Sequence, residues 1–189
     1  MYHKILDEAI LELKESKFKD LFNNELAEST KVLVKDCVIE TDLEILIPED
    51  YVSNISERLS LYSQLDNIKE EEDLTLFKQS LTDRFGILPE SVVELIESVK
   101  LRWLAQKLGF EKLVLKNETL KGYFVSQENE SYYKSETFGN LLNYVQANER
   151  SCRMTEKKDK LLLIITEVLN VNDAENHLKG AFEGLLNTH

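Results

Sequence analysis

Acidic side chains are the only plentiful candidates for chemistry in this sequence: 35 Asp and Glu stand against 23 Lys and Arg and 3 His. Paired carboxylates can hold a cation or work as acid and base, so their spacing decides. Glu49-Asp50 follows Pro48 and could bind a cation, but metal loops space several oxygen ligands at alternate positions. The simpler reading is a solvated turn beside a helix cap. Glu70, Glu71 and Glu72 are consecutive, so on a helix they fan around the axis and cannot converge on one site. His3, His177 and His189 lie near the ends without metal-ligand spacing. Cys37 and Cys152 each stand alone in an apolar, strand-like run, as small buried hydrophobes do in a reducing compartment. The 6 glycines are scattered singly, with no phosphate loop and no dinucleotide fingerprint. No serine sits in a nucleophile elbow. The expectation is a domain with no catalysis, no metal and no cofactor of its own.

One polar pair is out of place. Asp83-Arg84 sits between Leu81 and Phe85, at the rim of an apolar stripe near the end of a helix. It reads either as a local ion pair, with the Arg favoured by the negative end of the helix dipole, or as a contact point for a partner.

The elements that must hold these residues follow from periodicity. Ile5, Leu6, Ala9, Ile10 and Leu13 give a first amphipathic helix. Val32–Val34 and then Val38, Ile39, Leu43, Ile45 and Ile47 alternate as strand, with Asp42 and Glu44 turned outward, until Pro48 stops them. Ser53 or Asn54 caps a helix carrying Ile55, Leu59, Leu61, Tyr62 and Leu65. Acids at 70–73 favour a helix start. Leu74, Phe77, Leu81 and Phe85 then form one stripe, ended by Gly86 in a left-handed cap. Pro89 opens a long third helix at a first-turn position. Its apolar residues, from Val92 to Leu108, cover more than one stripe, which predicts a central, buried helix ending at Gly109.

Two hairpins follow. Leu113–Leu115 and Tyr123–Val125 flank a turn at Lys116–Glu118, and Cys152–Met154 and Leu161–Ile165 flank a turn at Lys157–Asp159. Between them lies a polar loop at Gln127–Glu130, then a helix from Phe138 to Val145 capped by Ser135. A last helix spans Asp173–Leu186, capped by Asn172. Helices and antiparallel hairpins alternate without βαβ repeats. The expected class is therefore α+β, with helices packed on hairpins in a small mixed sheet. Residues 1–30 read as an N-terminal helical arm and 31–189 as the α+β domain.

The net charge of -12 would repel a phosphate backbone, whose binding draws on Lys and Arg. Direct nucleic-acid binding is not expected unless a local basic strip exists, and Lys157-Lys158-Asp159-Lys160 is the one candidate in sequence. No apolar run is long enough to span a bilayer and no secretory signal is visible. The expected location is the cytoplasm.

Four motifs carry a family resemblance: Ile47-Pro48-Glu49-Asp50-Tyr51-Val52, Glu57-Arg58-Leu59-Ser60-Leu61-Tyr62, Leu81-Thr82-Asp83-Arg84-Phe85-Gly86-Ile87-Leu88-Pro89, and Leu101–Leu108 with Gly109. In this order and spacing the sequence resembles the C-terminal domain of bacterial transcription-repair coupling factors (Mfd). The likeness is specific from Ile39 to Leu113 and weaker beyond. His3–Lys14 resembles the end of the preceding translocase module. The resemblance implies a parent that is an ATP-driven DNA translocase, with ATP and Mg in motor modules outside this chain. That parent removes stalled RNA polymerase and recruits excision repair through UvrA. The domain itself would be a non-catalytic, autoinhibitory clamp on the UvrB-like N-terminal module, masking the UvrA-binding surface. A nucleic-acid contact domain of the same machine is the alternative. In the family the helix end reads acid, two apolar residues, Asp-Arg-Phe-Gly. Here Asp83 and Arg84 match and Ser80 replaces the first acid, so the implied partner contacts are Ser80, Asp83 and Arg84. Glu70–Asp73 are the other acids on that helix that such a contact could use.

Overall fold

The computed structural model describes residues 34–183. The expected arm at 1–30, the strand residues Val32 and Leu33, and the end of the last helix lie outside the described residues. A short strand β1 (Val38–Thr41) leads to three helices, α1 (Ile55–Asn67), α2 (Glu71–Phe85) and α3 (Glu90–Leu108). A hairpin β2 (Phe110–Lys116) and β3 (Thr119–Phe124) follows, then α4 (Glu130–Tyr133) and α5 (Glu136–Ala147). The chain closes with a second hairpin, β4 (Cys152–Lys157) and β5 (Lys160–Thr166), and α6 (Val171–Glu183). The five strands form one sheet in the order β1-β2-β3-β5-β4. β1 runs parallel to β2 and every other pair is antiparallel. The fold is thus α+β with a mixed sheet, as the alternation of helices and hairpins predicts.

Both hairpins close on two residues with positive φ, Asn117 and Glu118 in the first and Lys158 and Asp159 in the second. That backbone matches the right-handed twist of the strands it joins, and it fixes which residues of each strand share a face.

Two apolar clusters divide the interior. One joins the sheet residues Leu113, Leu115, Leu120, Phe124, Leu163 and Ile165 to Leu101, Ala105 and Leu108 of α3, Tyr132 of α4, Leu141 of α5, and Leu178 of α6. The other joins Ile47 and Val52 to Leu61 and Leu65 of α1, Leu74, Phe77 and Leu81 of α2, and Val92, Ile96 and Val99 of α3. The long helix α3 belongs to both, which is why its sequence is apolar on more than one stripe. Its C-cap Gly109 is left-handed (φ 85°, ψ 24°), and a Cβ there would stand 2.4 Å from the Tyr132 ring.

The structure corrects several sequence expectations. The strand predicted to reach Ile47 ends at Thr41. Its partner β2 stops at Lys116, and Leu43 N–H turns back to the Thr41 hydroxyl at 3.0 Å. The alternating residues beyond it serve as a bridge: Ile39, Leu43 and Ile45 pack against the first cluster and Ile47 enters the second. Alternation along an extended chain does not require a sheet partner. In α1, Leu61 and Leu65 are buried while Ile55 and Leu59 face out. Gly86 has positive φ but ψ -155°, so it is not a left-handed cap. Pro89 is the N-cap rather than the first helical residue, and its carbonyl accepts from Val92 and Val93. The polar loop at 127–130 runs into the short helix α4, capped by Asn129, which buries Tyr132. α6 starts at Val171, not Asp173. Asn170, not Asn172, accepts from Asp173 N–H at 2.8 Å, while the Asp173 carboxylate accepts from Leu169 N–H. Among the described residues, no helix is long and apolar enough to cross a membrane.

Candidate functional site

Helix α2 sets the site. Leu74, Phe77 and Leu81 recur at three- and four-residue steps and are buried, so the opposite face must turn outward. Ser80 and Asp83 lie on it, three residues apart and both exposed, one helical turn from each other. The helix stops where Gly86 takes φ 89° and ψ -155°, a region that essentially only glycine occupies. Its N–H still closes on the Thr82 carbonyl at 2.9 Å. No atom lies within 4 Å of where its Cβ would be, so the requirement for glycine is conformational and not steric.

The end of α2 is held from the side by the turn at Pro48–Tyr51. Tyr51 and Val52 N–H both donate to the Pro48 carbonyl, which folds Tyr51 back onto the helix. Its hydroxyl lies 3.1 Å from the carbonyls of both Leu81 and Gly86, and its ring packs on Phe85 at 5.7 Å between centroids. Burial raises the Tyr51 pKa above its ordinary value, so the hydroxyl stays a donor.

Helix α1 supplies the second brace. Asn54 caps it by accepting from Glu57 N–H at 3.1 Å. Three residues past the cap, Glu57 reaches the Arg84 guanidinium in an ion pair between helices. The Arg84 guanidinium also lies 4.8 Å above the Phe85 ring. Arg58, next along α1, donates to the Val52 and Ser53 carbonyls at 2.6 and 3.2 Å. The Tyr62 hydroxyl accepts from Ile47 N–H at 2.7 Å. Side chains from the segments 47–52, 57–62 and 81–86 therefore interlock at one place.

The three sequence-predicted residues have different fates there. Arg84 is engaged by Glu57. Asp83 forms no side-chain hydrogen bond or ion pair among the described residues, and it does not pair with its neighbour Arg84. Ser80 is exposed beside it. Ile87, directly after Gly86, is 92% exposed. Glu70–Asp73 sit at the opposite end of α2, ten to thirteen residues and about 15–20 Å from Asp83, so they do not join this surface. Glu57 and Tyr51 are the neighbours at this helix end that spacing did not single out. The Asn54–Glu57 spacing marks a helix start, yet nothing in it foretells Arg84 as partner.

The residues considered for other chemistry are dispersed. Glu49 and Asp50 are exposed in their turn. Cys37 and Cys152 are buried free thiols, and burial, then the charge of Asp36, pushes the Cys37 thiol up to about 12. His177 lies against the Tyr144 hydroxyl at 2.9 Å. Among the described residues, no three His, Cys, Asp or Glu side chains gather as a metal site would need. What the α2 end offers is an unpaired carboxylate on a rigid frame, a geometry suited to recognition by a cationic group.

Comparison with known proteins shows the family to which these elements belong. Residues 41–135, which include α1, α2, α3 and the whole α2 end, match the TRCF domain family. The transcription-repair-coupling factor of Escherichia coli K12 is 33% identical over 116 residues, covering 60% of this chain and 9% of that protein. That of Rickettsia conorii is 25% identical over 172 residues, covering 91% of this chain and 14% of that protein. The chain thus spans a small fraction of the length of these relatives. In solved structures, the C-terminal domain of a transcription-repair coupling factor superposes with a TM-score of 0.64 at 16% identity, covering 80% of this chain and 92% of that one. At that identity the likeness speaks for the fold. The family match spans half of the sequence, and the chain belongs to the TRCF domain family.

Proposed function

We propose that this TRCF domain is the non-catalytic, C-terminal regulatory domain of a coupling factor that links stalled transcription to DNA repair in the cytoplasm. In this reading it docks on the UvrB-like N-terminal module of the same protein and masks the surface that UvrA would use. ATP and Mg serve the motor modules of that protein, and engagement of RNA polymerase opens the dock. The observation that carries the reading is the free carboxylate of Asp83, held on a helix end whose backbone and neighbouring cation are both fixed by other elements. Exposed ionic contacts give orientation and specificity more than adhesion, and a switch needs a coupling of only about 1–3 kcal/mol. A contact built on Asp83, Ser80 and the Arg84–Glu57 pair can thus hold and release. With Ser80 in place of an acid, Asp83 supplies the negative charge alone.

The test is association of this chain with the isolated N-terminal module, measured across salt concentration, for the native chain and for Asp83→Lys. Binding that weakens with salt and is lost in Asp83→Lys is expected. No association even when the two are tethered, or undiminished binding by Asp83→Lys, overturns the reading.

A further inference from the structure

A cavity of about 560 Å³ opens between the last turns of α3, the end of α1 and the segment at 35–36. That volume is within the range of small-ligand pockets, about 300–1,000 Å³, and the site at the α2 end uses none of its residues. Arg102, Trp103, Gln106 and Lys107 come from α3. Their three- and four-residue steps put them on one side of that helix. Asp66 stands in the last turn of α1 and Lys69 just beyond it. Lys35 and Asp36 close the rim, tied to α3 by Gln106, whose amide nitrogen donates to the Lys35 carbonyl at 3.2 Å.

The lining is basic in a chain of net charge -12. Four cations stand against two carboxylates, and one of those, Asp66, is taken by Arg102 at 3.1 Å. The Lys107 ammonium lies 6.0 Å above the Phe182 ring. Neither Lys107 nor Lys69 has a carboxylate partner among the described residues. The acids that follow Lys69 in sequence do not line the cavity, and Glu71 is held by Lys100 at 3.4 Å. Trp103, the one tryptophan of the chain, is half-buried. It packs against the second cluster and also lines the cavity. No aliphatic residue and no other ring lines it. An occupant must therefore be anionic, and its apolar part must be a flat ring.

We infer that this cavity binds a free nucleotide, with phosphates on Lys69 and Lys107, the base on the Trp103 indole and a sugar hydroxyl donating to the Asp36 carboxylate. Lysine binds phosphate as a point charge. Indole stacks any base, since every base has a π-face. A carboxylate is the ordinary acceptor for ribose hydroxyls. Side chains rather than a glycine-rich loop would hold the phosphates, which is why no phosphate motif marks the site in sequence. A free nucleotide fits better than a strand. Its phosphates feel chiefly the cations within a screening length of about 8 Å, whereas a strand carries further phosphates out over an acidic surface.

The experiment titrates the full chain with ADP and follows Trp103 fluorescence, excited at the red edge of indole absorption, at low and at physiological salt. Calorimetry is the second readout. Inorganic pyrophosphate, adenosine and a single-stranded oligothymidylate are the competing probes. Saturable quenching by ADP that weakens with salt is expected, with pyrophosphate and adenosine each binding at least tenfold more weakly. Lys69→Glu with Lys107→Glu should lower ADP affinity at least tenfold, and Lys121→Glu, on β3 and outside the cavity, should leave it unchanged. Trp103→Leu, read by calorimetry, should remove about tenfold of the preference for ADP over pyrophosphate. Circular dichroism checks that the variants keep the fold. Should the reversal unfold the chain, Lys69→Gln with Lys107→Gln must show a smaller loss of the same kind. The inference is overturned if ADP does not bind at low salt, if pyrophosphate or adenosine binds as tightly, if oligothymidylate binds more tightly, or if Lys121→Glu causes the same loss.

Discussion

Arg84, in the last turn of α2, forms its ion pair with Glu57 of α1, 27 residues earlier, and not with Asp83 beside it. Successive helical residues point about 100° apart, so neighbours seldom face each other. The pair ties α1 to α2 and leaves Asp83 free. Because the two side chains are 45% and 35% exposed, water screens them. A double-mutant cycle of Glu57→Ala and Arg84→Ala in urea unfolding is expected to give a coupling of about 0.2–1 kcal/mol. A value several times larger would mean that the pair is effectively dry.

Gly86→Ala forces a Cβ onto φ 89°, ψ -155° and is expected to cost about 1–3 kcal/mol of stability. Tyr51→Phe removes the hydroxyl that reaches two carbonyls at the same helix end and is expected to cost about 1 kcal/mol. Both are read from urea midpoints. If Tyr51→Phe is neutral, the hydroxyl does not brace the helix end.

Gly109→Ala combines a positive φ with a clash at the Tyr132 ring. It is expected to cost more than Gly86→Ala, about 2–4 kcal/mol, because backbone strain and overpacking add. The comparison of the two alanine variants in thermal unfolding checks the order. Equal losses would show that the Tyr132 ring moves aside freely.

Cys37 is 2% exposed, and its thiol is pushed from 9.0 to about 12. A folded-state pKa above the unfolded one means that the protonated form is favoured by folding. Its contribution is therefore complete below pH 9 and is lost as pH rises from about 9 to about 12. Cys37→Ala is expected to flatten the decline of stability across that window. Native Cys37 should also resist alkylation at pH 8 until the chain unfolds. Rapid labelling of the folded protein would contradict its burial.

Several features were legible before any fold was known because they depend on local sequence. The stripe Leu74, Phe77, Leu81 places α2 and turns Ser80 and Asp83 outward. Ser135 caps α5 as its spacing predicts, accepting from Phe138 N–H at 3.3 Å. The two hairpin turns fall where polar residues separate the apolar runs. The errors arose where tertiary contacts replaced local ones. The alternating run from Leu43 to Ile47 connects two apolar clusters and has no strand beside it. Tyr132 turns a polar loop into a helical turn because its ring fills the space above Gly109.

Sequence alone determined the longer helices α1, α2, α3, α5 and α6, the hairpins, the breaks at Gly86 and Gly109, and the surplus of negative charge, since these follow from side-chain periodicity, backbone freedom and counting. Only the tertiary structure decided which charges remain unpaired. Glu57 finds Arg84, Glu40 finds Lys112, and Asp83, Lys121 and Arg153 are left to the surface. Ion pairs between elements depend on which faces pack together, and strand register sets which cations share a face. Neither quantity is written in the spacing of residues along the chain.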